Sequence, residues 1–182
     1  MRMESHTLLG TVKSNFFSGF CLQNESHLFD SYLQNSAFCY AGFSLGAQKL
    51  VDFALTYEHR IDKIQLFSPA FFDDKDDKFK RMQLMFWSKN SQQYITNFLS
   101  NCVYPSHVDI SEYLKNGTFE ELRQLLYYNW SEEKLLHLKS KNIHIEVYFG
   151  QEDKIINSQK GFEFFSKFTK PFFIKNVGHI LK

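Results

Sequence analysis

A pentapeptide with a glycine at each end constrains the fold of this chain more than any other feature. Residues 42–46 read Gly-Phe-Ser-Leu-Gly, and they lie between an apolar stretch at residues 36–40 and an amphipathic one at residues 45–57. This pattern predicts a strand that turns sharply into a helix, with Ser44 in strained backbone at the turn. Side chains at positions 42 and 46 would collide with the strand and the helix, and glycine removes those collisions.

Apolar and helical stretches alternate along the rest of the chain. Strands are predicted at residues 15–18, 36–40, 61–67, 143–149 and 171–177. Helices are predicted at residues 45–57, 73–101, 111–140 and 158–168, the last one capped by Ser158. Such alternation is typical of an α/β domain with a mostly parallel sheet and helices on both faces. The 182 residues fit one domain, 1–182, with residues 70–140 as a helical insertion that forms a small cap.

Composition excludes several classes of protein. A formal net charge of +1 gives no electrostatic case for nucleic-acid binding, and no apolar run is long enough to span a membrane. The first ten residues hold one arginine and a two-leucine apolar core, which is too short for a signal peptide. The three cysteines (Cys21, Cys39 and Cys102) are widely separated and indicate neither a disulfide framework nor a zinc site. We therefore expect a reduced, cytoplasmic protein without a metal.

A serine hydroxyl becomes a nucleophile when a base takes its proton, and position selects the base. His179 follows the last predicted strand, at the carboxyl edge of the sheet, where Ser44 also lies. The other six histidines fall in a strand, in helices or in surface loops. His179 is therefore the predicted general base.

A base of this kind is oriented by a carboxylic acid. We expect that acid after the preceding strand, because the chain order is then serine, acid, histidine. The loop at residues 150–154 holds two carboxylates, Glu152 and Asp153. We predict that Asp153 orients the imidazole and stabilises the imidazolium, with Glu152 as the alternative. The alternative interpretation is that both carboxylates are loop residues exposed to water.

Attack of a serine on an acyl carbonyl forms an oxyanion, and two backbone N–H groups must bind it. One is assigned to Leu45, directly after the serine. The other is assigned to Phe20, in the turn after the first predicted strand, where Gly19 brings the backbone close to the substrate.

These residues together resemble the α/β-hydrolase family from Phe16 onward. More narrowly, the chain resembles the short pimeloyl-acyl-carrier-protein methyl ester carboxylesterases of bacterial biotin synthesis. The segments that carry the narrower resemblance are residues 16–20 (Phe-Phe-Ser-Gly-Phe), 24–26 (Asn-Glu-Ser), 42–44 (Gly-Phe-Ser), 66–69 (Leu-Phe-Ser-Pro) and 79–81 (Phe-Lys-Arg).

The resemblance implies a compact α/β-hydrolase fold with reduced early strands and a triad of Ser44, Asp153 and His179. It implies hydrolysis of the pimeloyl methyl ester on its carrier protein to methanol and pimeloyl-carrier protein, without a cofactor. Two features depart from the wider family. Ser18 stands where a histidine usually precedes the glycine of the oxyanion turn, and only about forty residues precede Ser44. Residues 1–14 have no counterpart in the short group.

The resemblance also implies an acidic acyl-carrier protein as the partner. A set of basic residues near the start of the first central helix is a candidate docking patch: Lys75, Lys78, Lys80 and Arg81. A solvated charged face is the alternative interpretation of this set. For the whole chain the alternatives are another small acyl hydrolase, such as a thioesterase or lipase, and a catalytically silent hydrolase fold that serves as a binding module.

Overall fold

A computed structural model describes residues 15–182, and five parallel strands form its single sheet. The strands lie side by side in chain order: β1 (Phe16–Phe17), β2 (Cys39–Phe43), β3 (Lys63–Phe67), β4 (His144–Gly150) and β5 (Phe172–Ile174). Phe43 pairs with Phe67, and Phe67 pairs with Tyr148. The carboxyl ends of the three central strands therefore meet at one edge of the sheet.

Six α-helices and two short 3-10 helices connect the strands within residues 15–182. The α-helices are α1 (Leu45–Thr56), α2 (Asp77–Lys89), α3 (Ser91–Val103), α4 (Phe119–Tyr127), α5 (Glu132–Ser140) and α6 (Ser158–Phe165). The 3-10 helices are Glu25–Phe29, between β1 and β2, and Ser111–Tyr113, between α3 and α4.

Helices cover both faces of the sheet. On one face α1 packs against β1, β2 and β3, whereas α5 and α6 pack against β4. On the other face lies the 3-10 helix Glu25–Phe29, where the Phe29 ring stacks on Phe67 with 4.7 Å between centroids. Helices α2, α3 and α4 lie between β3 and β4 in the chain, and α2 packs on both α3 and α4. The extent of a cap over residues 70–140 stays a prediction, since α5 packs on α1 and on the sheet.

The strand before Ser44 differs from its predicted bounds. Residues 36–38 form a turn instead, because the Cys39 N–H donates to the Ser36 carbonyl at 3.2 Å. The strand continues to Phe43, since each of its residues pairs with one residue of β3. The predicted last strand is also shortened, to Phe172–Ile174.

The long helical stretches of the sequence divide at capping residues. Residues 73–101 form two helices, because Asn90 leaves the helical region (φ −161°) and its side chain accepts the Gln93 N–H. A capping box of Thr118 and Glu121 starts α4, and the Ser131 side chain caps α5. The prediction that Ser158 caps the last helix is wrong, since Asn157 accepts the Lys160 N–H at 3.1 Å.

No helix within residues 15–182 is long and apolar enough to cross a membrane. The expectations for residues 1–14, among them the absence of a signal peptide, lie outside the described residues.

Candidate active site

Ser44 lies at the turn between β2 and α1, in backbone that few residues adopt. Its dihedral angles are φ 53° and ψ −114°, which is strained for a residue with a side chain. Its N–H donates to the Phe67 carbonyl at 3.0 Å, and its own carbonyl accepts the N–H groups of Ala47 and Ala70. The strained turn that the sequence predicts is therefore present, and hydrogen bonds from β3 and α1 hold it.

The two glycines of the pentapeptide are required by close backbone contacts. A Cβ atom on Gly42 would lie 2.6 Å from the Gly46 carbonyl oxygen. A Cβ atom on Gly46 would overlap the carbonyl groups of Phe17 and Ser18. Any larger residue at either position would push the turn away from β1 or from the start of α1.

His179 lies in the loop after β5 and contacts the serine. Its Nε2 atom is 3.0 Å from Ser44 Oγ, and its Nδ1 atom is 2.6 Å from Asp153 Oδ2. A neutral imidazole with its proton on Nδ1 donates to Asp153 and leaves Nε2 to accept the serine proton. The imidazole is fully buried, and its ring packs against Phe43 at 5.0 Å.

Asp153 is fixed by its own loop after β4. Its Oδ1 atom accepts the N–H groups of Ile155 (2.7 Å) and Ile156 (3.1 Å), which leaves Oδ2 for the imidazole. The neighbouring Glu152 donates its backbone N–H to the Val177 carbonyl at 2.9 Å and so joins this loop to the one that holds His179. Of the two carboxylates considered from the sequence, Asp153 is the one that contacts His179.

The two backbone N–H groups assigned to the oxyanion hole have no acceptor in the part of the chain that the structure describes. Within residues 15–182, neither the Phe20 nor the Leu45 N–H donates a hydrogen bond. The turn that holds Phe20 touches the serine turn, since Gly19 packs so closely on Phe43 that a Cβ atom would lie 2.6 Å from its ring. Both donors are therefore unused, and their binding of an oxyanion stays a prediction.

A cavity of about 630 Å³ lies among α2, α3, α4 and the segment that follows Asp153. Aromatic side chains line much of it: Phe72, Phe79, Phe86, Tyr94 and Phe98. Lys89, Lys154 and several carboxamides supply polar groups. Its Phe98 ring packs edge-to-face on Phe20 at 5.2 Å, so the cavity wall contacts the turn beside Ser44. Ser44 itself is 1% exposed.

Solved structures of similar architecture are known, although sequence comparison finds no relative. No protein-family model matches the sequence, and no curated protein matches it. Among solved structures, MenH from S. aureus superposes with a TM-score of 0.57 at 13% identity, over 94% of this chain and 90% of the other. An esterase from Exiguobacterium antarcticum (EaEST) gives a TM-score of 0.58 at 12% identity, over 78% and 59%. Naproxen esterase, a carboxylesterase from Bacillus subtilis, gives 0.52 at 18%, over 79% and 53%.

The parallel sheet, the strained serine turn and these superpositions agree. The chain has the α/β-hydrolase fold. It spans 59% of the Exiguobacterium esterase and 53% of naproxen esterase. Within residues 15–182, β1 is the single strand before β2, the strand that leads to Ser44, which agrees with the expectation of reduced early strands.

The four basic residues of the predicted docking patch differ in their surroundings. Lys75 pairs with Asp74 at 2.7 Å, and Lys80 lies over the Tyr127 ring at 5.3 Å. Lys78 and Arg81 are exposed on the same side of α2. Neither of these two forms an ion pair within residues 15–182. Their role in binding a carrier protein stays a prediction.

A buried carboxylate beside the site was not singled out from the sequence. Glu25 is fully buried, and its Oε1 atom accepts the Gly19 N–H at 2.6 Å. Burial raises the pKa of this carboxyl. The sequence gives little signal for it, because glutamate at the start of a short helix is normally exposed to solvent.

The described residues show no metal site. Within residues 15–182, no group of three or more His, Cys, Asp or Glu side chains is arranged to hold an ion. The three cysteines are buried and unpaired, and burial raises the pKa of Cys21 to about 12 and that of Cys39 to about 11. These two thiols are therefore protonated at neutral pH.

Proposed function

We propose that this chain is a serine carboxylesterase. The observation that carries the proposal is the buried hydrogen-bond chain from Ser44 through His179 to Asp153, which begins at a strained serine. In this order a base contacts the nucleophile and a carboxylate orients the base.

The proposed reaction transfers an acyl group in two steps. His179 takes the proton of Ser44 while Oγ attacks the ester carbonyl, and the N–H groups of Phe20 and Leu45 bind the oxyanion. The tetrahedral intermediate collapses to an acyl-serine as His179 gives the proton to the departing alcohol. Water then attacks the acyl-serine, again with His179 as base, and releases the acid and free Ser44. Every proton moves through His179, so the chemistry uses no cofactor.

For the substrate we propose the methyl ester of pimeloyl-acyl-carrier protein, with methanol and pimeloyl-carrier protein as products. Support comes from the resemblance of five sequence segments to the short carboxylesterases of biotin synthesis. The cavity also has a volume common for a binding site, with aromatic walls for a methylene chain and amide groups for a pantetheine arm. A cytoplasmic location is part of the same proposal, because carrier-bound intermediates are made there.

The acidic carrier protein would dock on the outer side of α2. After Asp77 this helix holds four basic residues and no acidic one, and α3 holds no charged residue. Lys78 and Arg81 would contact the carrier directly, whereas Lys75 and Lys80 would add to the positive potential. The cavity opens on the inner side of the same helix, where Phe79, Gln83 and Phe86 line it.

The test is hydrolysis of methyl pimeloyl-carrier protein by the purified protein and by Ser44→Ala. We expect release of methanol by the wild type and a loss of about 10⁶-fold in kcat in the variant. Loss of only a few-fold in Ser44→Ala would remove Ser44 as the nucleophile.

The alternatives give different results in the same assay. Cleavage of thioesters or simple esters through Ser44, without cleavage of the methyl pimeloyl substrate, would keep the hydrolase and reject the substrate. Failure to cleave any ester, together with failure of a fluorophosphonate to label Ser44, would identify a silent hydrolase fold that binds its ligand.

A further inference from the structure

Burial of the Glu25 carboxylate costs free energy of desolvation that its hydrogen bonds offset only in part. This carboxylate is 0% exposed, with one oxygen bonded to the Gly19 N–H at 2.6 Å. The other oxygen, Oε2, has no hydrogen-bond partner within residues 15–182. A buried carboxylate with an unpartnered oxygen destabilises a folded chain, and an uncharged residue of the same volume would not. Stability alone therefore does not explain why a glutamate is here.

The group that Glu25 binds lies next to the proposed oxyanion donor. Gly19 immediately precedes Phe20, and it is packed against Phe43, which immediately precedes Ser44. Any shift of Gly19 therefore moves the Phe20 N–H relative to the serine. A hydrogen bond of an N–H group to a carboxylate is about twice as strong as one to a neutral acceptor.

The turn that contains Gly19 needs such a restraint. Cys21 and Asn24 both have positive φ angles (62° and 58°), which are strained for residues other than glycine. A second bond, from the Asn24 N–H to Ser18 Oγ at 3.3 Å, closes the same loop. Glu25 follows Asn24 at the start of the 3-10 helix that packs on the sheet, so its carboxylate ties a strained turn to a fixed element.

We infer that Glu25 is a positioning residue whose carboxylate holds the Gly19 N–H, and through it places the Phe20 N–H to bind the oxyanion. This inference rests on the proposed esterase function. Glu25 acts only through the turn and does not touch the substrate.

Two variants of similar volume distinguish loss of the hydrogen-bond acceptor at position 25 from loss of side-chain packing. Glu25→Gln keeps an oxygen for the Gly19 N–H, and Glu25→Met removes it. For a small p-nitrophenyl ester we expect Glu25→Met to lower kcat by about 10- to 100-fold with KM within about 2-fold, because the restraint acts on the transition state. We expect Glu25→Gln to retain kcat within about 3-fold. The exposed Glu58→Gln is the control and should match the wild type.

A tetrahedral inhibitor gives a readout that general destabilisation does not produce. The affinity for a boronic acid that forms an adduct with Ser44 should fall about 10- to 100-fold in Glu25→Met, in parallel with kcat. Thermal unfolding of each variant shows that it is folded at the assay temperature. If Glu25→Met does not fold, the NMR resonance of the Gly19 amide proton tests the hydrogen bond to the carboxylate. We expect this resonance to lie downfield in the wild type and to move upfield in Glu25→Gln.

Failure of this inference is distinct from failure of the proposed function. An active wild type with a folded Glu25→Met of unchanged kcat and unchanged boronate affinity would overturn the role of Glu25 and leave the esterase standing. A wild type without Ser44-dependent hydrolysis would overturn the esterase, and with it the positioning role of Glu25. An unperturbed Gly19 amide in Glu25→Gln would overturn the hydrogen bond itself.

Discussion

Ser44, Asp153 and His179 come from three separate loops, and Ser44 and Asp153 are each fixed by bonds other than those to His179. The turn holds Ser44 through Phe67 and Ala70, and the loop after β4 holds Asp153 through two backbone N–H groups. Little side-chain freedom remains to be lost when a substrate binds, which is the condition under which such groups are most effective.

Asparagine at position 153 should nearly abolish catalysis without unfolding the chain. Oδ1 would stay on the N–H groups of Ile155 and Ile156, so the new amide NH₂ would face His179 Nδ1. The imidazole would then carry its proton on Nε2, the atom that faces Ser44. A protonated Nε2 is unable to accept the serine proton. We expect kcat of Asp153→Asn on a p-nitrophenyl ester to fall about 10⁴-fold with an unchanged circular dichroism spectrum.

The matched control is Glu152→Gln, which removes the neighbouring carboxylate and should leave kcat within about 2-fold of the wild type. Equal losses in the two variants would mean that the charge of the loop matters and the contact to His179 does not.

At the scale of elements, the sequence indicates type and order more reliably than bounds. The helix after Ser44 begins at Leu45 as predicted, because Gly42 and Gly46 fix the turn before it. The predicted strand before Ser44 lies three residues too early, since its bounds depend on pairing with β3, which local sequence does not show. The break at Asn90 was missed for a similar reason, because asparagine is tolerated inside a helix when it does not cap another one.

In the candidate site too, the residues that local motifs mark could be predicted, whereas those that depend on tertiary packing could not. Motif and chain order were enough to propose Ser44, Asp153 and His179, since loops after parallel strands gather at one edge of the sheet. Glu25 was not recognisable, because its burial depends on how the segment between β1 and β2 packs across the sheet. The orientations of Lys75 and Lys80 depend on Asp74 and Tyr127 in the same way.

A buried glutamine joins α1 to α4 and should stabilise the contact between the helical insertion and the sheet. Gln48 Nε2 donates to the Ala70 carbonyl at 2.8 Å and to the Leu125 carbonyl at 3.0 Å. Ala70 keeps a second donor, Trp130 Nε1, whereas Leu125 lies in the last turn of α4, where carbonyls lack helical partners. Gln48 Oε1 has no hydrogen-bond partner within residues 15–182, so its removal offsets part of the loss. Gln48→Met should therefore lower the free energy of unfolding by about 1–2 kcal/mol, as measured by urea denaturation.

An exposed glutamine provides the comparison. Gln159→Met on α6 should change the free energy of unfolding by less than about 0.5 kcal/mol. A Gln48→Met variant as stable as this control would show that the two carbonyls gain nothing from the buried amide.

At the scale of the whole molecule, the proposed functions of α2 are divided between its two sides. Its inner side forms part of the aromatic cavity wall, and its outer side carries Lys78 and Arg81. The cavity is in turn in contact, through Phe98, with the turn beside Ser44. A carrier protein bound to the outer side would thus have its prosthetic arm one helix width from the cavity. The net charge of the whole chain is only +1.

Charge reversal on α2 should therefore weaken the reaction with carrier-bound substrate and spare the reaction with small esters. For Lys78→Glu we expect KM for methyl pimeloyl-carrier protein to rise about 5- to 10-fold, because an acidic partner would meet a like charge. The kcat and KM for a p-nitrophenyl ester should stay within about 2-fold, since Lys78 is outside the cavity lining. The rise in KM should shrink when salt increases from about 0.05 M to about 0.5 M, because surface charges are then screened within a few ångströms.

Lys170→Glu makes the same change of net charge at the opposite end of the molecule. Lys170 is exposed and lies just before β5, at the amino edge of the sheet, so a partner docked on α2 would not meet it. We expect its KM for the carrier-bound substrate to match the wild type. A rise in KM of equal size in both variants would indicate attraction by the net charge of the chain, and no rise in either would reject α2 as the docking element while leaving the triad untouched. Only a rise confined to Lys78→Glu, and lost at high salt, fits a carrier that binds across the outer side of α2.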